Sequence, residues 1–309
     1  MEKRTAFVFP AQAVGLINAP KEFEDFPVAK DIFTQAAHLL PGDIFALDES
    51  SRQKTANAQP AILLHSIAAG EILLNLGYKP DVVTGPSLGV YAALYFAKVL
   101  PLADVLPLVI KRGQLMQAVC DKRDGAMAAI IGLEYKTIFD IVAAVSRDEA
   151  MLRISNVNTP TEIVIAGDRP AVLKGMELAK EKYGAKKTVL LPTSGAYHTC
   201  LMYEAGYPFD RALLLLYFDD PKTCLLIDEE YLTTGGKVRK ALLGHITRPV
   251  NWEGTLTILI KHWQVKRFFE VGPGEVLAGH IRRMAKHFGQ EDVEVISVGT
   301  REDIEKLRK

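Results

Sequence analysis

A serine flanked by two glycines lies in the segment DVVTGPSLGVYAALY, between an apolar run and an alanine-rich run. Gly85, Ser87 and Gly89 have the spacing of a nucleophile on a sharp turn from a strand into a helix. Pro86 fits this turn, because the residue before a proline favours extended backbone. The N–H of Leu88, at the predicted helix start, would be placed to stabilise an oxyanion. The segment favours a nucleophilic Ser87, although the short pattern also fits a glycine-lined turn without chemistry.

A serine nucleophile needs a base, and the chain has seven histidines. His198 lies in LPTSGAYHTCLM, in a loop that follows a small α+β region and could overhang a cleft. Most of the others lie in helical or charged contexts and are interpreted as surface or capping residues. A single histidine is more often structural than catalytic, so the residue types alone leave both interpretations of His198 open.

Arg112, in the segment KRGQLMQAV, is a cation on an otherwise apolar predicted helix. Such a side chain either reaches the surface along its apolar stem or holds an anion inside the protein. The spacing does not distinguish these two possibilities.

The bulk composition is that of a globular enzyme, with 309 residues, 49% hydrophobic and 24% charged. The formal net charge is zero, so neither nucleic acid nor a membrane surface is expected as a partner. Three scattered cysteines predict no disulfide framework and no zinc site, and no metal is expected. The N-terminus fits no signal peptide, and no run reaches the roughly 18 apolar residues of a membrane span, so a cytoplasmic protein is expected.

Two patterns of predicted secondary structure occur along the chain. Strands and helices of α/β type are predicted at 6–9, 26–39, 58–76, 81–85 and 88–97, and again, after residue 192, at 223–227, 236–245, 252–263 and 267–271. Between them, a βαββαβ order is predicted from 126–133, 134–146, 152–158, 162–167, 170–182 and 186–191. This order is typical of a ferredoxin-like domain. The predicted organisation is a body of residues 1–124 and 192–309, interrupted by a small α+β subdomain of residues 125–191.

The motifs resemble, in order along essentially the whole chain, those of the malonyl-CoA:acyl carrier protein transacylases and the acyltransferase domains of polyketide synthases. FVFPAQAVG resembles FVFPGQGSQ, NAQPAIL resembles TQPAL, GPSLGVYAAL resembles GHSLGEYAAL, and KRGQLMQ resembles RGxxMQ. NVNTPTEIVIAG is similar to NxNxPxQxVIAG, LPTSGAYH to LPVSGAFH, RPVNW to PVRW, and FFEVGPGEVLAGHIRR to EVGPGxVLxGLxKR. The resemblance implies an α/β hydrolase-like body with a parallel sheet and an inserted ferredoxin-like subdomain.

The resemblance also implies a reaction: a malonyl group passes from coenzyme A, through an acyl-serine, to the phosphopantetheine thiol of acyl carrier protein. It implies that Ser87 is the nucleophile and His198 the general base. The carbonyl that orients this base maps to His245, where relatives usually have glutamine. The oxyanion hole maps to the backbone N–H groups of Leu88 and Gln12. No cofactor is implied, since the coenzyme A thioester is the substrate.

Four further positions are implied to bind substrate. Arg112 would clamp the free malonyl carboxylate, an interaction worth about 1.5–3 kcal/mol when it is charge-assisted. Gln59 and Asn158 map to polar residues that line the pocket. Tyr197, beside the base, is bulky, and a large aromatic there accompanies malonyl rather than methylmalonyl. One methyl group gives only about 1–3 kcal/mol of discrimination, so malonyl is expected as a preference.

The chain departs from the family at four positions near the reacting groups. Pro86 replaces a histidine and Val90 a glutamate, while Ala11 and Ala13 replace the glycines around Gln12. Proline removes a backbone N–H, and alanine does not readily adopt positive φ, so the Gln12 N–H could be aimed differently. A misaimed oxyanion donor would cost about 10²–10³ in rate.

Charged positions outside these loops also differ or suggest a partner surface. Glu162 stands where relatives usually have glutamine, and it places a negative charge in or near the small sheet. Carrier proteins are acidic, so the docking patch is expected to be basic. Lys186 with Lys187, and Arg282 with Arg283, are candidates, although a merely solvated surface fits each pair equally well.

An active acyltransferase is expected, in fatty-acid synthesis or acting in trans on a polyketide assembly line, because Ser87, His198, Arg112 and Gln12 are all present. Two alternatives stay open. One is a hydrolase that clears acyl groups from carrier proteins, although the retained Arg112 argues against it. The other is a catalytically weakened homologue that only binds carrier protein, as the four departures would suggest.

Overall fold

The computed structural model describes residues 3–12 and 18–308. Ala13, one of the alanines predicted to affect the oxyanion loop, lies outside the described residues. Within the described ranges, no helix is long and apolar enough to cross a membrane.

The strands of the described chain form two sheets. Their bounds are β1 (Thr5–Val8), β2 (Val82–Thr84), β3 (Gly125–Ile131), β4 (Leu152–Thr159), β5 (Glu162–Asp168), β6 (Lys187–Leu190), β7 (Cys224–Ile227), β8 (Glu230–Leu232), β9 (Val250–Asn251), β10 (Arg267–Val271) and β11 (Glu294–Val298).

Helices cover both sheets. Their bounds are α1 (Ala19–Glu22), α2 (Pro27–Ala37), α3 (Glu49–Gln53), α4 (Thr55–Asn75), α5 (Gly89–Phe96), α6 (Leu102–Cys120), α7 (Tyr135–Val145), α8 (Arg169–Glu181), α9 (Tyr203–Leu214), α10 (Gly235–Leu242), α11 (Trp252–Thr257), α12 (Val276–His287) and α13 (Arg301–Leu307). A π-helical turn, Ile258–His262, follows α11.

The larger sheet has the order β11-β10-β1-β2-β7-β8. Its strands pair in parallel as far as β7, and β8 returns antiparallel to β7. All four residues of β1 are buried, as expected for a central parallel strand with helices on both faces. Helix α4 is buried over most of its length, which confirms the central helix that its apolar sequence predicts. The parallel α/β body is therefore confirmed, with one antiparallel edge strand that the sequence pattern does not reveal.

The smaller sheet has the order β6-β3-β5-β4-β9. Its first four strands are antiparallel and, with α7 and α8, give the βαββαβ order, so the ferredoxin-like fold is confirmed. The fifth strand, β9, comes from outside residues 125–191 and pairs in parallel with β4. The small sheet thus continues into a segment assigned to the body. The boundaries at 125 and 191 stay a prediction.

The sequence prediction fails mainly near the C-terminus. The predicted loop TTGG ends at Thr234, whose side chain accepts from Lys237 N and caps α10. Beyond the Gly-Pro-Gly turn the sequence pattern predicts no element, yet α12, β11 and α13 follow there. Glycine and proline indicate a loop but do not reveal that a helix begins only two residues later.

Candidate active site

Ser87 lies on the sharp turn between β2 and α5. Its backbone is in the left-handed region, with φ of 53°, which is uncommon for a residue other than glycine and is often found at functional sites. A side chain at Gly85 or Gly89 would collide with the carbonyl oxygen of Phe9. Both glycines are therefore required so that the turn can pack against β1, which explains the Gly-x-Ser-x-Gly pattern.

His198 lies within hydrogen-bond distance of the serine. Its Nε2 is 2.7 Å from Ser87 Oγ, and its Nδ1 is 3.0 Å from the carbonyl oxygen of His245. A carbonyl only accepts hydrogen bonds, so the proton lies on Nδ1 and Nε2 is free to accept from the serine hydroxyl. Burial, then His245 and Arg112, lower the pKa of His198 to about 3. The imidazole is therefore neutral in the resting site, as a general base requires.

Arg112 is buried on α6, with 1% of its surface exposed, so the possibility that it extends to the surface is wrong. Its Nη2 donates to Ser87 Oγ at 3.1 Å, and its Nη1 donates to Gln59 Oε1 at 2.6 Å. The guanidinium carbon also lies 5.5 Å from the centre of the Tyr91 ring. Burial lowers the pKa of Arg112. In the described chain no carboxylate forms an ion pair with this cation.

Gln59 is completely buried behind Arg112, so it holds the guanidinium rather than forming part of the cleft surface. Its Nε2 donates to Thr55 Oγ1 at 2.7 Å, and Thr55 donates in turn to Gln12 Oε1 at 2.6 Å. This chain of hydrogen bonds joins the arginine to the loop after β1. No sequence signal points to Thr55, because threonine at a helix start is common.

The two predicted oxyanion donors lie at the start of α5 and in the loop after β1. Leu88 precedes the first residue of α5, where backbone N–H groups lack partners inside the helix. Gln12 and Ala11 line the same cleft as Ser87. Pro86 also lines it, and its carbonyl accepts from Gly89 N at 2.9 Å, so the turn closes without a proline N–H.

Val90, the other departure in this turn, is 1% exposed and belongs to the main hydrophobic core. An apolar side chain suits that position, whereas a carboxylate there would have to be buried. This substitution therefore alters core packing rather than the cleft surface.

The cleft extends from Ser87 between β4 and α12. Asn158 of β4 and Tyr197 line it together with Arg112, His198 and Ser87. Tyr197 is buried, which raises the pKa of its hydroxyl to about 12, and the group is therefore neutral. The structure thus brings Gln12, Ser87, Arg112, Asn158, Tyr197 and His198 to one cleft, with Gln59, Leu88 and His245 directly behind it.

An ionic cluster connects the small sheet to α12. Glu162 accepts from His280 Nε2 at 2.8 Å, from Arg283 Nη2 at 2.6 Å and from Asn158 Nδ2 at 3.1 Å. Burial would raise the pKa of Glu162, but the hydrogen bonds from His280 and Asn158 outweigh it and lower the pKa to about 2. The negative charge expected near the small sheet is therefore present, and it is compensated.

The interpretation of the remaining histidines as surface residues is right for His38, His262 and His287, which are exposed. It is wrong for His65, His245 and His280, which are buried. His280 lines the cleft, and His65 Nε2 lies 2.8 Å from the carbonyl oxygen of Gly299. Both contacts join residues more than 100 positions apart, so no local pattern could reveal them.

All four candidate docking residues, Lys186, Lys187, Arg282 and Arg283, are exposed. Arg283 is committed to Glu162. Within the residues that the structure describes, no group of three or more histidine, cysteine, aspartate or glutamate side chains could hold a metal ion.

Comparisons with known proteins agree with this geometry. A sequence profile of the acyl transferase domain matches residues 17–207. The malonyl CoA-acyl carrier protein transacylase of Bacillus subtilis (strain 168) is 32% identical, over 98% of this chain and 95% of that protein.

Solved structures give the same result. The malonyl CoA-acyl carrier protein transacylase from Coxiella burnetii has a TM-score of 0.90 and 31% identity, over 98% of this chain and 96% of that one. A malonyl-transacylase solved in complex with its type II polyketide synthase acyl-carrier protein has a TM-score of 0.90 and 29% identity, over 98% of each chain. This chain belongs to the acyltransferase family that includes the malonyl-CoA:acyl carrier protein transacylases.

Proposed function

We propose that this chain transfers malonyl groups from coenzyme A to the phosphopantetheine thiol of an acyl carrier protein, for fatty-acid or polyketide synthesis. The observation that carries this proposal is the buried cation of Arg112 beside Ser87. A buried charge is costly unless it is paired, and no carboxylate of the described chain pairs with it. The free carboxylate of a malonyl group would pair with Arg112. The thioester carbonyl of the same malonyl group would then lie beside Ser87.

The first half of the reaction makes an acyl-serine. Ser87 Oγ attacks the thioester carbonyl while its proton passes to His198 Nε2, and a carbon–oxygen bond forms. The N–H groups of Leu88 and Gln12 stabilise the negative charge on the carbonyl oxygen. The carbon–sulfur bond then breaks, and the coenzyme A thiolate takes the proton back from His198.

The second half reverses these steps with a different thiol. The phosphopantetheine thiol gives its proton to His198 and attacks the acyl-serine, and Ser87 leaves with that proton. One thioester replaces another, so the reaction needs activation and charge stabilisation but no external energy. Arg112 holds the malonyl carboxylate through both halves and occupies space that water could otherwise use to hydrolyse the ester.

The partner in this proposal is an acyl carrier protein, and the solved complex of a similar malonyl-transacylase with its carrier protein supports it. A cytoplasmic location is also proposed, since Cys120, Cys200 and Cys224 are free thiols in the structure.

The test is acylation followed by transfer. Incubation with malonyl-CoA is expected to add one malonyl group to Ser87, seen by intact mass, and holo-acyl carrier protein is expected to remove it. Arg112→Ala is expected to lower the preference for malonyl-CoA over acetyl-CoA about 10–100-fold, because it removes a charge-assisted interaction. Arg147→Ala, an exposed arginine of the small subdomain, is the matched control and is expected to leave the preference unchanged.

Three results would contradict the proposal in different ways. No adduct at any pH would favour a protein that only binds carrier protein. An adduct that passes to water faster than to carrier protein would favour the hydrolase. An Arg112→Ala variant with unchanged malonyl preference would remove Arg112 from its role as the carboxylate clamp.

A further inference from the structure

A second imidazole lies directly behind the general base. His245 supplies the carbonyl that accepts from His198, and its own ring is also buried, with the two ring centroids 5.8 Å apart. Neither ring nitrogen of His245 has a hydrogen bond to the rest of the described chain. Its Nε2 lies 3.5 Å from Asp228 Oδ2, slightly beyond normal hydrogen-bond distance. A carboxylate therefore faces the residue that orients the base.

The backbone of Asp228 is unusual. Asp228 and Glu229 form the two-residue connection between β7 and β8, and both have positive φ, of 44° and 69°. Such hairpin turns favour asparagine, aspartate and glycine, so Asp228 suits its position, whereas Glu229 carries backbone strain. The turn directs Asp228 inward, where 24% of its side chain is exposed and Arg248 Nη2 lies 3.5 Å away.

The carboxylate is charged at neutral pH. Burial raises the pKa of Asp228, but His245 and Arg248 outweigh burial and the pKa is lowered. This places a fixed negative charge 3.5 Å from Nε2 of His245, on a residue that does not line the cleft.

A negative charge in this place favours the reaction. When Ser87 loses its proton, His198 becomes an imidazolium that is buried beside the cation of Arg112. Burial, the His245 ring and the cation of Arg112 oppose this state. The carbonyl of His245 and the carboxylate of Asp228 are the groups near the base that favour it. In sites where a carboxylate contacts the base directly, that carboxylate stabilises the imidazolium.

We infer that Asp228 is a positioning residue for the general base and acts through His245. Its carboxylate orients the His245 imidazole and stabilises the imidazolium that forms on His198 during acylation. The inference rests on the proposed function, because it concerns the formation of the acyl-serine. It gives a role to the histidine at position 245 beyond the carbonyl that any residue could supply.

The test is single-turnover acylation by malonyl-CoA, followed by intact mass. Asp228→Asn is expected to slow acylation roughly tenfold at saturating malonyl-CoA, the effect of one remote charge in a site of low dielectric. The half-saturating concentration is expected to stay within twofold of wild type, because Asp228 does not line the cleft. Asp228→Glu is expected to recover at least half of the loss. Glu230→Gln, which removes an exposed carboxylate two residues away, is the matched control and keeps the wild-type rate.

A double variant separates action through His245 from general destabilisation. His245→Gln keeps the carbonyl, and in that background Asp228→Asn is expected to slow acylation less than threefold. Asp228→Asn at the wild-type rate, or the same tenfold loss in both backgrounds, would overturn the inference. A wild-type protein that forms no adduct would contradict the proposed function instead. If Asp228→Asn does not fold, Asp228→Ser, which also suits a tight turn, carries the same expectation.

Discussion

Two groups of polar side chains lie at the cleft, the second of which reaches it through His280, and they differ in how their charges are paired. The catalytic end consists of Ser87, His198 and Arg112. Ser87 Oγ lies 2.7 Å from His198 Nε2 and 3.1 Å from Arg112 Nη2, and the cation of Arg112 has no carboxylate partner in the described chain. The α12 side consists of Glu162, His280 and Arg283, where the carboxylate accepts hydrogen bonds from both neighbours. The first group, which we call the open group, therefore contains a charge that is unpaired within the described residues, whereas the charges of the second group, the closed cluster, are paired with one another.

This difference indicates that the first group binds the substrate, whereas the second group stabilises the structure around the cleft. A buried cation without a partner destabilises the folded protein, so its presence indicates a site that binds an anion. The closed cluster joins β5 to α12 and so holds the two walls of the cleft together. Substitutions in the first group should therefore change the reaction, while those in the second should change mainly stability.

The largest expected effect is at His198. His198→Ala is expected to slow the formation of the malonyl-serine about 10³-fold, because general-base catalysis contributes roughly 10²–10⁴. His280→Gln, on the α12 side, is expected to slow it less than fivefold. Single-turnover mass spectrometry measures both rates. Similar losses in the two variants would show that the distinction between the two groups is wrong.

The sequence predicts those features of the catalytic end that depend on neighbouring residues, and it does not predict those that depend on tertiary packing. The Gly-x-Ser-x-Gly turn is short, and both of its glycines are required by the carbonyl of Phe9, so Ser87 could be predicted. The burial of Arg112 could not be predicted, because helical spacing does not reveal which residues will cover a cation. Gln59 and Thr55, which connect it to Gln12, are recognisable as a hydrogen-bonded chain only in the folded protein.

The fold shows the same limit. The βαββαβ order follows from local periodicity, and the structure confirms it. Local patterns do not predict helix α12 after the Gly-Pro-Gly turn, nor the partners of Glu162, since His280 lies 118 residues away along the chain. The contact between Asp228 and His245 likewise depends on tertiary structure. The sequence therefore predicts the reacting atoms better than the groups that support them.

Acid stability gives the second prediction. The pKa of His198 falls from its ordinary value of 6.5 to about 3, so the unfolded chain binds more protons and stability is lost as pH falls from 6.5 towards 3. From pH 6.5 to 5 this amounts to a loss on the order of 2 kcal/mol in the free energy of unfolding. The pKa of Glu162 falls from 4.5 to about 2, so its contribution is lost only below about pH 4.5.

Urea unfolding at pH 7 and pH 5 tests this separation. His198→Ala is expected to lose less stability between the two pH values than wild type, by on the order of 2 kcal/mol. Glu162→Gln is expected to lose as much as wild type. His65, whose pKa burial lowers to about 4, contributes a similar loss in all three proteins. An equal loss in wild type and His198→Ala would contradict the prediction.

The third prediction concerns the closed cluster. Glu162→Gln is expected to lower the free energy of unfolding at pH 7 by about 1–2 kcal/mol, since hydrogen bonds to a charged group are lost and half-exposed Arg283 is already screened by solvent. The saturating acylation rate is expected to stay within threefold of wild type. Urea unfolding and single-turnover acylation measure the two quantities. Glu181→Gln, at the exposed end of α8, is the control. A tenfold loss of rate without loss of stability would place Glu162 in the catalytic group.

Removal of the Tyr197 hydroxyl is expected to give the smallest effect, because Tyr197 belongs to the catalytic end through its ring and not through its hydroxyl. The hydroxyl lies 3.5 Å from Ser194 Oγ and 3.9 Å from Cys120 Sγ, distances at which little hydrogen-bond energy remains. Tyr197→Phe is therefore expected to change malonyl acylation less than twofold. Tyr197→Ala, which opens space beside the base, is expected to raise the rate with methylmalonyl-CoA relative to malonyl-CoA by about 10–200-fold, the range for one methyl group. Parallel single-turnover assays with the two thioesters decide the point, since a large loss in Tyr197→Phe would mean that the hydroxyl acts in the reaction.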